Sequence, residues 1–174
     1  MTTGKCSSQL QWALRYARMD LPVFPCKVRG KKPLTPHGFN DATTDLQQVR
    51  EWWRRWPKAS IGMATGTPSG LIVLDIDPRN GGKGSWAALR WGRKIPKTAQ
   101  QWTGGGGMHI FFRNPGDIRC GTLRPGLDVK AEGAATSSCR PLFTGAENAI
   151  AGPRKVARSY SFNLRRCPIG CSAQ

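Results

Sequence analysis

The residues of this chain that could best do chemistry stand at the end of one apolar run. Residues 71–77 are rich in β-branched side chains and end with Asp75 and Asp77. Alternate residues of a strand share a face, so the two carboxylates would project the same way, about 7 Å apart at their bases. Burying two unpaired carboxylates together is costly, and a divalent cation between them removes that cost. The pair predicts a two-metal site for nucleotidyl transfer, in which metals activate the attacking oxygen and neutralise the leaving pyrophosphate.

Asp128 is the candidate for a third metal ligand. It stands between Leu127 and Val129 in a short apolar segment. Mg²⁺ prefers oxygen ligands and keeps several waters, so three carboxylates suffice to hold it. The chain has only ten acidic residues against 27 basic ones, which makes Asp-x-Asp on a strand a poor use of acids unless it is functional. One alternative stays open, because Asp77 precedes Pro78 and could simply cap a turn.

A glycine-rich turn before a second apolar run supplies a candidate phosphate site. Residues 104–107 are all glycine, which lets the backbone approach a ligand closely. The N–H groups of Gly105, Gly106 and Gly107 could line a triphosphate, and His109 could donate to a phosphate oxygen. A lone His is more often a core residue, and four glycines alone are a weak signal. The hypothesis depends on the combination of Asp-x-Asp, glycine turn with His, and third Asp.

The charge of the chain predicts a polyanionic partner. The formal net charge is +17, and such a surplus favours binding to nucleic acid or to an anionic membrane. No long apolar run or amphipathic Lys-rich helix is present, which favours nucleic acid and no membrane. The basic loop at residues 27–36, which includes Lys32, is either a solvated surface loop or a phosphate contact.

The cysteines and the N-terminus favour a cytoplasmic protein. The N-terminus has no apolar segment of a secretory signal, and the six Cys show no secreted disulfide framework. Cys167 and Cys171 lack a nearby His or a second Cys pair, so we interpret them as incidental rather than as zinc ligands.

The periodicity of the sequence predicts an α+β domain with a mainly antiparallel sheet. The glycine-containing turn at residues 66–70 predicts a hairpin-type connection between the strands on either side of it. Thr44 predicts an N-cap for the second helix, with Gln47 completing a capping box. The predicted helices cover residues 8–19, 45–56 and 85–95, and the predicted strands cover residues 23–26, 60–65, 71–77, 98–103, 108–112 and 127–129.

Two other classes of enzyme also use Asp-x-Asp. Haloacid-dehalogenase-type phosphatases place a nucleophilic Asp on such a strand, but they require Asp-x-Asp-x-Thr, whereas Pro78 and Arg79 follow here. Nucleotide-sugar glycosyltransferases use the motif to bind a metal, but they are rarely this basic and have no use for the His-containing strand. Both fit less well than nucleotidyl transfer.

A longer series of motifs, spread over residues 10–133, is highly specific when taken together. The motifs are Lys32-Pro33-Leu34, His37-Gly38-Phe39, Asp41-Ala42-Thr43-Thr44-Asp45, Trp52-Trp53, Ile61-Gly62, Ser69-Gly70-Leu71, Leu74-Asp75-Ile76-Asp77, Thr103-Gly104-Gly105-Gly106-Gly107, His109, Phe112 and Pro125-Gly126-Leu127-Asp128-Val129. The series resembles the N-terminal domain of the bifunctional DNA primase/polymerases (prim-pol), a family of the archaeo-eukaryotic primase superfamily that is common on plasmids and phages.

The resemblance implies a fold, a reaction and partners. The fold is an RRM-like catalytic sheet joined to an N-terminal α/β unit, within a domain at residues 8–133. Asp75, Asp77 and Asp128 would bind Mg²⁺ or Mn²⁺, and His109 would contact the phosphates of the incoming nucleotide. Members use nucleoside triphosphates to start primers or extend DNA on a single-stranded template. Many are fused to a helicase, which would here be encoded separately.

After Gly133 the resemblance ends. The family would continue with an apolar strand and a Pro-Pro-Ser-x-His turn, whereas this chain continues with Ala134-Ala135-Thr136-Ser137-Ser138. Codons for residues 134–152 can be chosen so that a neighbouring reading frame encodes the missing family sequence, Gly-Tyr-Val-Ile-Val-Pro-Pro-Ser-Ile-His included. The free choice at third codon positions is too small to produce that segment by chance. We therefore predict a frameshift near Gly133, with residues 134–174 an irregular tail translated out of frame.

A frameshift would affect activity more than charge. Losing the family's strands after Asp128 would weaken the support of that carboxylate, so we expect weak or absent synthesis by this exact chain. The alternative function is a catalytically impaired remnant that binds nucleic acid without sequence preference. The basic character does not depend on the tail, because the first 130 residues hold 21 Lys and Arg against 8 Asp and Glu, a surplus of 13.

Overall fold

The computed structural model describes residues 9–116 and 118–137, with side chains up to Gly133. The first residue of the helix predicted over residues 8–19, the Cys167 and Cys171 pair and most of the tail lie outside these residues. Within them the fold is α+β, as predicted. The helices are α1 (Gln9–Arg18), α2 (Leu46–Arg55) and α3 (Gly82–Arg90), and the strands are β1 (Val23–Cys26), β2 (Ser60–Thr65), β3 (Leu71–Ile76), β4 (Gln100–Trp102), β5 (Met108–Arg113), β6 (Gly121–Arg124), β7 (Leu127–Lys130) and β8 (Gly133–Ser137).

The strands form two sheets. The larger sheet has the order β4-β5-β3-β7-β6, and every neighbouring pair in it is antiparallel. The smaller sheet has the order β1-β2-β8, also antiparallel throughout. The larger sheet is the predicted mainly antiparallel sheet, and β3 is its central strand.

Strand β3 divides the protein into two hydrophobic cores, because its alternate residues face opposite ways. Leu71 and Val73 belong to the core that α1, α2 and the smaller sheet complete. The even-numbered residues Ile72, Leu74 and Ile76 belong to a second core, which includes Leu89 of α3. Alternation places Asp75 on the face of Leu71 and Val73, where its side chain is 21% exposed. The central strand therefore presents this carboxylate on the face that carries the N-terminal helices.

The helices follow the apolar stripes seen in the sequence, with one correction at a cap. Val49 and Trp53 of α2 are buried, as their spacing predicts. The N-cap is Asp45 rather than Thr44, because the Asp45 Oδ1 accepts the N–H of Gln47 at 2.8 Å. Either residue type can cap a helix, so the sequence places the cap only to within one residue. No helix in the part of the chain described here is long and apolar enough to cross a membrane.

The predicted hairpin between β2 and β3 is wrong. The turn itself is closed by hydrogen bonds from Gly66 N to Leu71 O at 2.7 Å and from Gly70 N to Gly66 O at 2.8 Å. Beyond the single bridge between Gly66 and Leu71 the strands separate, since β2 pairs with β1 and β8 whereas β3 pairs with β5 and β7. The turn thus connects the two sheets instead of joining two neighbours within one.

The first residues of the predicted irregular tail form a strand. Strand β8 starts at Gly133 and pairs with β2, with Ala134 opposite Ala64 and Ser137 opposite Ile61. Expecting no strand there was wrong for residues 134–137, because ladder pairing uses backbone groups that every residue except proline carries. The rest of the tail lies outside the described residues.

Candidate active site

Each strand of the larger sheet contributes one polar residue to a single row across the sheet. Asp75 on β3 lies directly opposite His109 on β5 and Asp128 on β7. Gln101 on β4 continues the row beyond His109, and Thr122 on β6 continues it beyond Asp128. Directly opposite residues share a face and have Cβ atoms about 4.5–5.5 Å apart. Pairing of the strands thus brings together two of the predicted acids and the predicted His.

Asp75 is surrounded by basic side chains. The His109 Nε2 lies 3.5 Å from the Asp75 Oδ1, and the Lys130 Nζ lies 4.0 Å from the Oδ2. The contact with His109 is the main cause that lowers the pKa of the Asp75 carboxyl below its usual value, and the charges of Lys130 and Lys31 act in the same direction. Partial burial opposes these effects without reversing them. The carboxyl is therefore ionised at neutral pH, as a metal ligand must be.

Asp128 is positioned by a hydroxyl and a cation. The Thr122 hydroxyl donates to the Asp128 Oδ1 at 2.6 Å, and the Lys130 Nζ lies 3.8 Å from the Oδ2. Lys130 therefore lies within 4.0 Å of both Asp75 and Asp128. Its positive charge offsets the repulsion between the two carboxylates in the absence of a metal.

Asp77 does not join the other two acids in this arrangement of side chains. It follows the last residue of β3 and caps the short 3₁₀ helix Pro78–Asn80, accepting the backbone N–H of Arg79 at 3.0 Å. Its two oxygens also accept the Nε and Nη2 of Arg79 and the Nδ2 of Asn80, each at 3.0 Å. These contacts with Arg79 lower the pKa of Asp77. The turn-capping alternative thus describes its present contacts, and no three described His, Cys, Asp or Glu residues converge to hold a metal ion.

The glycines of the predicted phosphate loop have different surroundings, and two of them occupy positions that favour glycine for different reasons. A Cβ on Gly107 would lie 2.5 Å from the Ile76 carbonyl oxygen, so only glycine lets the turn pack against the end of β3. Gly106 has a φ of +76°, which favours glycine, and open space around its α-carbon. A Cβ on Gly105 would be 3.7 Å from the guanidinium carbon of Arg79. The turn therefore lies beside Asp77 and Arg79.

His109 lies deeper than a direct phosphate contact would suggest. The residue is only 5% exposed, and its Nδ1 is buried without a hydrogen-bond partner. Its Nε2 faces Asp75. The structure places the ring between β3 and β4, with its Nε2 side next to the Asp75 carboxylate.

The basic loop approaches the row through Lys31. Lys31 is close enough to contribute to the lowered pKa of Asp75. Lys32, the predicted phosphate contact, is exposed, and its carbonyl accepts the Lys27 N–H at 2.8 Å in the turn that closes the loop. The loop thus brings positive charge to the site, with Lys31 the residue whose charge reaches the carboxylate.

Four residues of this site were not singled out from the sequence, namely Lys130, Arg79, Gln101 and Thr122, and the first two carried a readable signal. Lys130 is two positions from Asp128 on a strand, and alternation alone places it on the same face. Arg79 follows an Asp-Pro pair, a context in which the Asp side chain commonly caps the turn. Gln101 and Thr122 had no such signal, because nothing in the sequence sets either level with Asp75. Lys31 belongs to the basic loop at residues 27–36, which was already a candidate phosphate contact.

The donor chemistry of the row fits a hard divalent cation. Asp75 and Asp128 offer carboxylate oxygens from neighbouring strands at one level of the sheet. Such oxygens are the preferred ligands of Mg²⁺, and Mn²⁺ accepts them too. Asp77 can join this set only when its oxygens leave the Arg79 guanidinium.

The family of the chain follows from comparison with known families. The family model "Bifunctional DNA primase/polymerase, N-terminal" (Prim-Pol) matches residues 13–153, which are 141 of the 174 residues. The chain belongs to this family. The match extends 20 residues beyond Gly133, further than the motifs quoted above. No protein of curated function matches the chain significantly.

Membership defines the class of function. At the level of the family, the function is of the DNA primase/polymerase type, and the enzyme class is nucleotidyltransferase. Members act on nucleotide substrates with a DNA template and generally use divalent metals.

Proposed function

We propose that this chain transfers nucleotides from NTP or dNTP onto a DNA-templated primer with Mg²⁺ or Mn²⁺, and that Asp75, Asp77 and Asp128 hold the metals. The observation that carries the proposal is the register of β3, which sets Asp75 opposite Asp128 on one side and His109 on the other. The chemistry that a divalent cation supplies in such a site is activation of the attacking 3′-hydroxyl and charge neutralisation at the leaving pyrophosphate.

The remaining residues of the proposed site bind and orient the nucleotide. The backbone N–H groups of Gly105, Gly106 and Gly107 are proposed to face the triphosphate, since the turn lies beside Asp77. His109 is proposed to contact a phosphate oxygen through its Nε2 side, next to Asp75. Lys32 is proposed to add positive charge from the basic loop, where Lys31 already acts on Asp75.

The sheet around Asp128 supports activity better than the sequence suggested. Strand β7 lies between β3 and β6, both of which precede Gly133 in the chain. The strand that follows, β8, belongs to the other sheet. The described strands that flank Asp128 thus do not depend on the residues that we predict to be out of frame, and we propose that the chain retains measurable synthesis.

The test is primer extension by the full chain on a primed single-stranded DNA, with Mg²⁺ or Mn²⁺ and each nucleotide type. Asp75→Asn keeps the shape of the side chain but removes its charge, so extension should fall by about 100-fold or more, as loss of a key electrostatic contact does. Asp20→Asn is the matched control, because Asp20 is exposed, lies outside the row, and has a φ of +57° that Asn tolerates. Equal extension by the Asp75 variant and the parent would refute the proposal.

A second function, non-catalytic binding of nucleic acid, is supported by two observations. The first 130 residues carry a surplus of 13 positive charges, and Asp77 is bound to Arg79 rather than open to a metal. This function predicts DNA binding that weakens steeply with salt. It also predicts that binding is the same for Asp75→Asn and is indifferent to added Mn²⁺, with no extension at all, which distinguishes it from the first proposal.

The proposed partners and location follow from the proposed reaction. The chain is proposed to work in the cytoplasm on single-stranded DNA, with a helicase encoded separately to expose the template, in the replication of a plasmid or phage. We also propose residues 8–133 as the limits of the catalytic domain.

A further inference from the structure

The side chain of Arg79 joins two parts of the site that the proposed reaction uses. On one side its Nε and Nη2 contact the Oδ1 and Oδ2 of Asp77, a bidentate pair at 3.0 Å each. On the other side its guanidinium packs on the glycine turn, where a Cβ at Gly105 would lie 3.7 Å from the Arg79 Cζ. The side chain is nevertheless 72% exposed, whereas that of Asp77 is 22% exposed. The Arg79 side chain can therefore leave this position without unfolding any part of the described structure.

The pair has a chemical consequence for metal binding. A carboxylate whose two oxygens accept from one guanidinium, from the Arg79 backbone N–H and from Asn80 has few lone pairs left for a metal. Asp75 contacts His109 and Lys130 at 3.5 and 4.0 Å, and Asp128 contacts Lys130 at 3.8 Å and accepts one hydrogen bond from Thr122, so neither acid is held in a bidentate pair. The three acids thus differ, since Asp77 must exchange a partner before it can bind a metal and the other two need not.

We propose that Arg79 is a nucleotide-binding residue that blocks Asp77 until a nucleoside triphosphate arrives. The planar guanidinium fork matches phosphate as well as carboxylate, and the glycine turn beside it is the proposed place of the triphosphate. Transfer of the guanidinium from Asp77 to a phosphate frees the Asp77 oxygens for the metal. Binding of nucleotide and ligation by Asp77 are thereby coupled, and metal affinity is kept low in the absence of nucleotide. This inference rests on the function proposed above.

The test compares two binding constants of the full chain, which respond in opposite directions. Without nucleotide, Arg79→Ala should bind Mn²⁺ about two- to fivefold more tightly, the worth of one exposed ion pair, as measured from the free Mn²⁺ signal in electron paramagnetic resonance. With Mg²⁺ present, the same variant should bind ATP about tenfold more weakly or worse, by calorimetry, because a charged hydrogen bond is lost. Arg79→Lys keeps the charge without the fork and should recover part of the ATP affinity.

Arg90→Ala is the control, since Arg90 is an exposed arginine at the end of α3 and should change neither constant. A folding defect would weaken the binding of both Mn²⁺ and ATP, and that outcome would overturn the inference. So would an unchanged ATP affinity or an unchanged Mn²⁺ affinity in Arg79→Ala. If the parent chain bound no ATP, the proposed function would fall together with the inference, whereas ATP binding that ignores Arg79 would overturn the inference alone.

Discussion

Asp75 and Asp128 lie side by side on neighbouring strands, and each has a polar neighbour that fixes its orientation. For Asp75 this neighbour is His109, and for Asp128 it is the Thr122 hydroxyl at 2.6 Å. Loss of a group that orients a metal ligand typically costs about 10- to 100-fold in metal affinity or activity. His109 and Thr122 are therefore expected to affect metal binding, although neither is a proposed metal ligand.

Removal of the Thr122 hydroxyl tests this expectation. Thr122→Val keeps the side-chain shape but leaves the Asp128 Oδ1 without its donor, so extension should fall by about 10- to 100-fold. Thr67→Val is the matched control, because Thr67 donates to Glu132 outside the row. Steady-state extension rates of the two variants measure the difference, and equal rates would show that Asp128 is held by the strands alone.

A second residue-scale prediction concerns Cys26. Burial in β1 raises the pKa of the Cys26 thiol to about 11, so at pH 8 the reactive thiolate is scarce. The raised pKa means that the thiol gains its charge only above about pH 11 in the folded protein, so labelling at pH 8 requires unfolding. Peptide mapping after iodoacetamide treatment should find Cys26 unmodified in the native chain and modified in guanidinium. Rapid native labelling of Cys26 would contradict the burial of β1.

At the scale of elements, the apolar runs of the sequence predicted where the strands lie but not which strands pair with each other. Strands β3, β5 and β7 were predicted because continuous or alternating apolar residues require burial. The relation between β2 and β3 was not predictable, because a turn with Gly66 and Gly70 looks the same whether its strands pair or diverge. Strand β6 was missed because its Gly-Thr-Leu-Arg sequence is mostly exposed, and pairing with β7 alone defines it. The contact of Asp77 with Arg79 depends on side-chain geometry that no spacing rule gives.

Packing between β1 and β2 allows a test of the smaller sheet. A Cβ on Gly62 of β2 would lie 2.4 Å from the ring of Phe24 on β1, and that ring is fully buried. Gly62→Ala should therefore lower the free energy of unfolding by about 1–3 kcal/mol through overpacking. Gly84→Ala is the control, since Gly84 in α3 has open space around it and alanine should raise that free energy by about 0.5–1 kcal/mol. Urea denaturation measures both, and a neutral Gly62→Ala would show that Phe24 has room to move.

At the scale of the whole molecule, the origin of the C-terminal segment is the main prediction. The Prim-Pol match continues to residue 153, and β8 is a strand, yet residues 134–152 lack the family motifs expected there. The frameshift hypothesis predicts that the coding DNA, read in the neighbouring frame from the codon of Gly133, encodes Pro-Pro-Ser-x-His. Sequencing of that region decides the matter, and a shifted frame without this motif would reject the hypothesis.

The frameshift hypothesis also predicts how a chain with the restored reading frame should function. A chain rebuilt in that frame should extend primers faster than the present chain, because the family's own strand would replace residues 134–137 against β2. Asp75→Asn in the rebuilt chain is the control for contaminating polymerase activity.

The position of β7 has a consequence for how the protein is made. Strand β5 can pair with β3, and β4 with β5, as soon as residue 113 has been synthesised, whereas the other edge of β3 waits for residues 127–130. A nascent chain therefore carries an open, apolar strand edge, the kind that invites association with other chains. The β6–β7 hairpin closes this edge in the same event that brings Asp128 to Asp75. Closure of this edge and assembly of the two acids therefore occur in one step, which must await synthesis of residues 127–130.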